Sequence, residues 1–151
     1  MPKIKHIALS TQDVDATAKF YVEVFGMKEI AKIDSPGARG YYLSDGNINL
    51  AILNFKNDAV AGVERGAGWS GIHHIGFQVD DIEATDKALK AAGVKPVPME
   101  HREPRPQGQG EMVGVNLKYL GPDEVHFDVR QKGWDEAIEL AMDRYELAPA
   151  K

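Results

Sequence analysis

A stretch near the start of the chain, KHIALSTQD at residues 5–13, returns as HHIGFQVDD at residues 73–81. Displacing the sequence on itself by 68 positions (74 − 6) superposes His6 on His74, Ile7 on Ile75, Asp13 on Asp81, Ala16 on Ala84 and Thr17 on Thr85. Val14 then faces Ile82 and Asp15 faces Glu83, while Gly26 and Gly93 close the two segments one residue out of step. An internal repeat constrains a fold strongly, because like units must bury like faces. Each copy reads as strand, aspartate cap, amphipathic helix and glycine stop: the aspartates can accept from orphan helix amides and the glycines suit a left-handed end. The apolar stripes are Val14, Ala18, Tyr21 and Phe25 in the first helix and Ile82, Thr85, Leu89 and Ala92 in the second. Both are expected to pack on a sheet.

Strand-like segments follow each helix. MKEIAKID (27–34), ARGYYLS (38–44) and NINLAILNF (47–55) fill the first half, with an SDGN turn between the last two. VKPVPM (94–99), EMVGVNLKYL (111–120) and EVHFDVR (124–130) fill the second, with GPD as the turn. Both halves are therefore β-α-β-β-β. The expected organisation is one domain over residues 1–151: module one at 1–55, a Gly-rich polar linker at 56–71, module two at 72–130 and a C-terminal helix at 133–147. EHREPRPQGQG (100–110) reads as a surface loop. The fold class is α+β, with the tandem modules forming a curved, mostly antiparallel sheet around a central cavity.

Charge and composition narrow the partners. Net −5 from 18 basic and 23 acidic residues offers no basic patch, so neither nucleic acid nor an anionic membrane is an expected partner. No cysteine is present, which removes disulfide and thiolate chemistry and leaves His, carboxylate, amide or water for any metal. MPKIKHIAL reads directly as a strand, and no apolar run approaches membrane-spanning length, so the expected location is cytoplasmic.

Period-two reading places the chemistry. Ile7 and Leu9 oppose His6; Ile48, Leu50 and Ile52 oppose Asn47 and Asn49; Ile75, Phe77 and Val79 oppose His74 and Gln78; Val125, Phe127 and Val129 oppose His126, Asp128 and Arg130. With the apolar faces turned to the helices, the polar faces of four strands point away from them together. A solvated sheet face would carry Lys, Glu and Thr, whereas this one carries three His, one Asp and two Asn, which are ligand types. Adjacent strand residues face opposite sides, so only one of His73 and His74 is expected to reach the cavity; the repeat selects His74. His101 is read as an exposed loop histidine.

HIALSTQDVDATAKFYVEVFG, HHIGFQVDDIEATDKALKAAGV and GPDEVHFDV together resemble the vicinal oxygen chelate superfamily, which includes glyoxalase I, methylmalonyl-CoA epimerase, extradiol dioxygenases and the bleomycin resistance proteins. The resemblance implies one metal ligand per strand, at His6, Asn49, His74 and Asp128, and a divalent ion, Fe, Mn, Ni, Co or Zn. Glyoxalase I and the epimerase have Glu or Gln at the position of Asn49 and Glu at that of Asp128, so Asn49 is a weak ligand or a donor behind the ligands. An amide cannot accept a proton; His126 or Glu111 is then the base. The implied activity is a glyoxalase-type isomerase, epimerase or lyase acting on a small enolisable carbonyl compound. Two alternatives stand beside it: an Fe(II) extradiol-type dioxygenase using two histidines and one carboxylate, and a non-catalytic small-molecule binding protein, for which Tyr41 and Tyr42 on a cavity wall speak. Arg39, Arg102 and Arg105 are candidate anion contacts. A homodimer is expected, with Trp134 and Tyr145 of the last helix at its seam.

Overall fold

The computed structural model describes residues 1–62, 64–98 and 116–146. In chain order its elements are β1 (Lys3–Ser10), α1 (Val14–Phe25), β2 (Lys28–Asp34), β3 (Ala38–Ser44), β4 (Asn49–Phe55), α2 (Asp58–Ala61), β5 (Gly71–Gln78), α3 (Ile82–Ala91), β6 (Lys95–Pro96), β7 (Leu117–Leu120), a 3-10 turn (Pro122–Glu124), β8 (His126–Arg130) and α4 (Trp134–Glu146). Both repeat aspartates cap their helices. Asp13 accepts from the Ala16 amide at 3.0 Å and Asp81 from the Ala84 amide at 2.9 Å. Each bond satisfies an amide the first turn leaves orphaned and stabilises the helix by about 1 kcal/mol. Gly26, at φ 69°, ends α1 by donating to the Val22 carbonyl.

Eight strands form one open sheet in the order β2-β3-β4-β1-β5-β8-β7-β6. β1 and β5 run antiparallel at its centre, and each has a parallel outer neighbour, β4 and β8 respectively. The outward order is thus the same on both sides: first strand of the half, then fourth, third and second. The sequence repeat has become a near-twofold arrangement. Beneath α1 the core joins Val14 and Ala18 to Leu43, Leu50 and Ile52; beneath α3 it joins Ile82 to Val79, Tyr119 and Val129. Burying side chains such as Leu43 and Ile52 contributes about 1.5–3 kcal/mol each.

Several expected placements differ. Phe25 is 66% exposed and packs with Phe20 and Tyr21 at the end of α1 instead of against the sheet. Asn47 lies in the turn before β4, and β8 begins only at His126, because the 3-10 turn holds Asp123 and Glu124 at positive φ. Residues 56–71 include a helix, α2, capped by Asn57. Unlike α1 and α3, α4 begins on the polar face of the sheet: Trp134 is 5% exposed and stacks on His6 with ring centroids 4.8 Å apart. Tyr145 donates to the Glu29 carbonyl. Trp134 is therefore committed inside the chain and unavailable to a seam between copies. Among the described residues, no helix is long and apolar enough to cross a membrane.

Candidate metal and substrate site

Strand register aligns Asn49, His6, Gly76, Asp128 and Lys118 as successive partners across β4, β1, β5, β8 and β7. The row crosses five strands, and four of its members carry functional side chains. Gly76, at its middle, leaves a gap that the indole of Trp134 fills: a Cβ there would lie 2.5 Å from Trp134 Cη2 and 2.7 Å from His6 Cβ. His74 lies two residues before Gly76 on β5, while His126 and Arg130 flank Asp128 on β8, so alternation brings them to the same side. Together with Tyr42, Phe55, Glu64 and Asn116 they line a cavity of about 590 Å³, a size that suits a small molecule.

His73 lines the same cavity, against the expectation that only one of the adjacent pair would reach it. The reason is a β-bulge. Ala8 pairs with His74 but Leu9 with Ile72, so His73 is an extra residue turned out of alternation. Its Nε2 donates to the Ala61 carbonyl at the end of α2, at 2.5 Å, and its Nδ1 meets Nδ1 of His74 at 2.8 Å.

These bonds fix the imidazole tautomers. A carbonyl only accepts, so His73 carries its proton on Nε2, and in the neutral ring Nδ1 is the acceptor. His74 must then donate from Nδ1, which leaves a lone pair on its Nε2. By the same logic, His6 Nδ1 donates to Asn49 Oδ1 at 2.7 Å and its Nε2 holds a lone pair. The two Nε2 atoms face each other at 3.2 Å, and Asp128 Oδ2 lies 3.4 Å from that of His74. Burial resists charging either ring: the pKa of His6 is lowered by desolvation, and that of His74 lies well below the usual imidazole value, through burial first and then Lys118.

The facing lone pairs of His6 and His74, and the carboxylate beside His74, repel unless a cation joins them. Donors around an ion held at about 2.0–2.2 Å stand roughly 3.0–3.5 Å apart, the spacing seen here. Among the described residues, no three His, Asp or Glu side chains are already placed to hold a metal ion; the donors are a chain from His6 through His74 to Asp128. Asp128 Oδ2 accepts from Asn116 Nδ2 at 3.5 Å, whereas its buried Oδ1 has no hydrogen bond among the described residues, with Lys118 Nζ 3.4 Å away. In donor type, the two neutral imidazole nitrogens and the Asp128 carboxylate suit a divalent ion.

His126 is half-buried, its Nε2 3.3 Å from Glu64 Oε1. Desolvation lowers its pKa, with the Glu64 charge opposing, so the ring is neutral at pH 7.

The sequence profile of the Glyoxalase/Bleomycin resistance protein/Dioxygenase superfamily matches residues 3–129. The chain belongs to that superfamily. Within it, the chain is 31% identical over 137 residues to a probable chloroplastic lactoylglutathione lyase of Arabidopsis thaliana, a match covering 87% of this chain and 36% of the plant protein. It is 29% identical over 97 residues to an ethylmalonyl-CoA/methylmalonyl-CoA epimerase of Cereibacter sphaeroides, covering 62% of this chain and 72% of that one. A methylmalonyl-CoA epimerase solved with methylmalonyl-CoA and NH4+ shares the superfamily fold at a TM-score of 0.63 and 23% identity, covering 89% of this chain and 97% of the other. The chain spans about a third of the plant lyase's length.

Set against the sequence reading, His6, His74, Asp128 and His126 share one cavity wall, and Asn49 turns its amide oxygen to the rear nitrogen of His6. Glu111, His101, Arg102 and Arg105 lie outside the described residues. Arg39 and Tyr41 are on the helix side, both bound to Asp15, so of the two tyrosines only Tyr42 lines the cavity. Sequence reasoning passed over Glu64, His73 as a partner of His74, Trp134 as a neighbour of His6, and Lys118. Alternation in NLKYL already sets Lys118 opposite Leu117 and Tyr119; the bulge at His73 leaves no such signature.

Proposed function

We propose that this superfamily member is a divalent-metal-dependent isomerase, epimerase or lyase acting on a small enolisable carbonyl compound. One observation carries the reading: hydrogen bonding turns two buried imidazole lone pairs toward each other and toward a buried carboxylate, on the wall of a cavity of substrate size. His6, His74 and Asp128 would hold the ion, with Asn49 and His73 orienting the imidazoles from behind. When bound, the ion supplies Lewis acidity to a substrate carbonyl oxygen. His126 removes the proton from the neighbouring carbon: Nε2 faces Glu64, so Nδ1 is the basic atom, and the Glu64 carboxylate stabilises the imidazolium after transfer. Return of the proton by the His126 imidazolium to the adjacent carbon gives an isomer, and protonation of the enolate by solvent water on the opposite face gives an epimer. The likeness to a lyase and an epimerase supports this class of reaction.

Deuterium wash-in from heavy water, followed by proton NMR on a panel of 2-oxo acids, 3-oxo thioesters and hemithioacetals, tests the reading. Protein loaded in turn with each candidate metal should exchange a carbon-bound proton in at least one of these compounds, and His126→Ala should abolish exchange while Co(II) affinity is kept. No exchange across the panel refutes it.

Lys118 favours a second reading, a non-catalytic small-molecule binding protein, because it gives Asp128 a cation from the chain itself. Melting with and without Co(II) separates the two, since a tight ligand of the native state must raise the melting temperature.

A further inference from the structure

Among the described residues, two cations line the cavity. Lys118 and Arg130 both line it; Lys118 pairs with Asp128 across β7 and β8, and Arg130 follows Asp128 by two residues, which makes the two cations diagonal neighbours. Diagonal positions on paired strands lie about 7–8 Å apart, close enough for two long side chains to meet on one group. Asp128 is the buried carboxylate of the wall, while Glu64 is 45% exposed at the rim beside His126. Arg65 is engaged elsewhere, donating to the Ile72 and His73 carbonyls and stacking on Trp69.

Among the described residues, neither cation is fully satisfied. Lys118 Nζ stands 3.4 Å from Asp128 Oδ1 without a hydrogen bond to it, and Arg130 Nε is buried with no hydrogen-bond partner among the described residues. Arg130 is also held in place: its guanidinium lies 5.9 Å from the centre of the Trp134 ring, and Gly133 admits it so closely that a Cβ there would sit 2.8 Å from Cζ. An immobilised guanidinium on the cavity wall, near an ammonium that has only a shared partner, is a receptor for an anion. A planar carboxylate is the anion that a guanidinium fork and a neighbouring ammonium hold together.

We propose that the small molecule bound in this cavity carries a carboxylate, and that Lys118 and Arg130 bind it. The inference rests on the proposed carbonyl chemistry and narrows its substrate class to an oxo acid instead of a neutral ketone or aldehyde.

The test uses chelator-treated protein with two probes of nearly equal shape, malonamate with one carboxylate and malonamide with none, titrated by amide chemical-shift perturbation. Malonamate should bind at least about tenfold more tightly than malonamide, and Lys118→Met and Arg130→Met should each weaken malonamate by about that factor while leaving malonamide unchanged. Arg130→Lys, which keeps charge but loses the fork, should recover part of the loss; it and Lys118→Met carry the test should Arg130→Met fail to fold. Equal affinity for the two probes, or malonamate binding indifferent to both side chains, overturns the proposal. Because no metal is present, failure of the metal reading shows separately, as an absence of Co(II) binding or of exchange in the loaded protein.

Discussion

Replacing Gly76 by alanine tests how tightly the gap in β5 holds His6 and Trp134. Gly76 does not sit at positive φ, and alanine at such a position normally stabilises by roughly 0.4–1 kcal/mol by restricting the unfolded chain. Here the added methyl would lie 2.5 Å from Trp134 Cη2, 2.9 Å from Cζ3 and 2.7 Å from His6 Cβ. His6 Cβ is tied to the backbone of the neighbouring strand, and the indole is buried and stacked on the imidazole, so relief requires β1 or α4 to shift. Over-packing of this kind costs about 1–3 kcal/mol, and contacts on two sides put Gly76→Ala near the upper end. After subtracting the chain-entropy gain, a net loss of about 2 kcal/mol remains, or a fall of roughly 4–8 °C in melting temperature for a chain of this length. Circular dichroism melts of wild type, Gly76→Ala, Trp134→Leu and the double variant measure it. The two substitutions should be non-additive by about 1 kcal/mol, since a smaller residue 134 removes one of the two clashes. A Gly76→Ala protein that melts at or above the wild-type temperature refutes the reasoning.

Co(II) titration should show Asp128→Ala losing detectable binding, while Asn49→Ala, which removes only the acceptor behind His6, weakens it by about tenfold; equal losses would place Asn49 among the ligands. His73→Phe should weaken Co(II) binding by about 10–100-fold by freeing the tautomer of His74, and unchanged affinity would remove His73 from the site. Stability should fall on acidification below about pH 6.5: the unfolded chain takes up protons there that buried His6, His73 and His74, with lowered pKa values, resist, and above that pH both states are neutral and the penalty vanishes. A urea midpoint equal at pH 5 and pH 7.5 would contradict this. Turnover should continue under anaerobic conditions; stoichiometric oxygen uptake with a catechol-like substrate would instead favour the dioxygenase alternative.

The parts of the fold readable from sequence were those written in periodicity. The offset between His6 and His74 announced two like halves, Asp13 and Asp81 their helix caps, and alternation on β8 the shared side of His126, Asp128 and Arg130. What escaped depends on departures from period. A bulge carries no residue-type mark in GIHHIG, so the turning of His73 was invisible, and the mate of His73 is a backbone carbonyl, that of Ala61, which no sequence pattern shows. Trp134 was read from sequence as a residue of the last helix placed at a seam between copies and not as the neighbour of His6, because that contact depends on which side of the sheet α4 crosses. Lys118 was within reach of the same alternation that found Asp128, but attention to ligand types passed over an ammonium.

The row from Asn49 to Lys118 also says when in folding this site can exist. Its members come from both ends of the chain: His6 and Asn49 are made first, and Asp128 and Lys118 belong to strands completed near the end. β1 gains its neighbour β5 only across the whole first half, so the row is closed by the most sequence-distant pairings in the sheet. Contacts of that kind form late, after loop-closure entropy has been overcome. The first half can collapse onto α1 with His6 and Asn49 already paired, holding one imidazole and no carboxylate. The rest of the cavity wall arrives only with the docking of the second half.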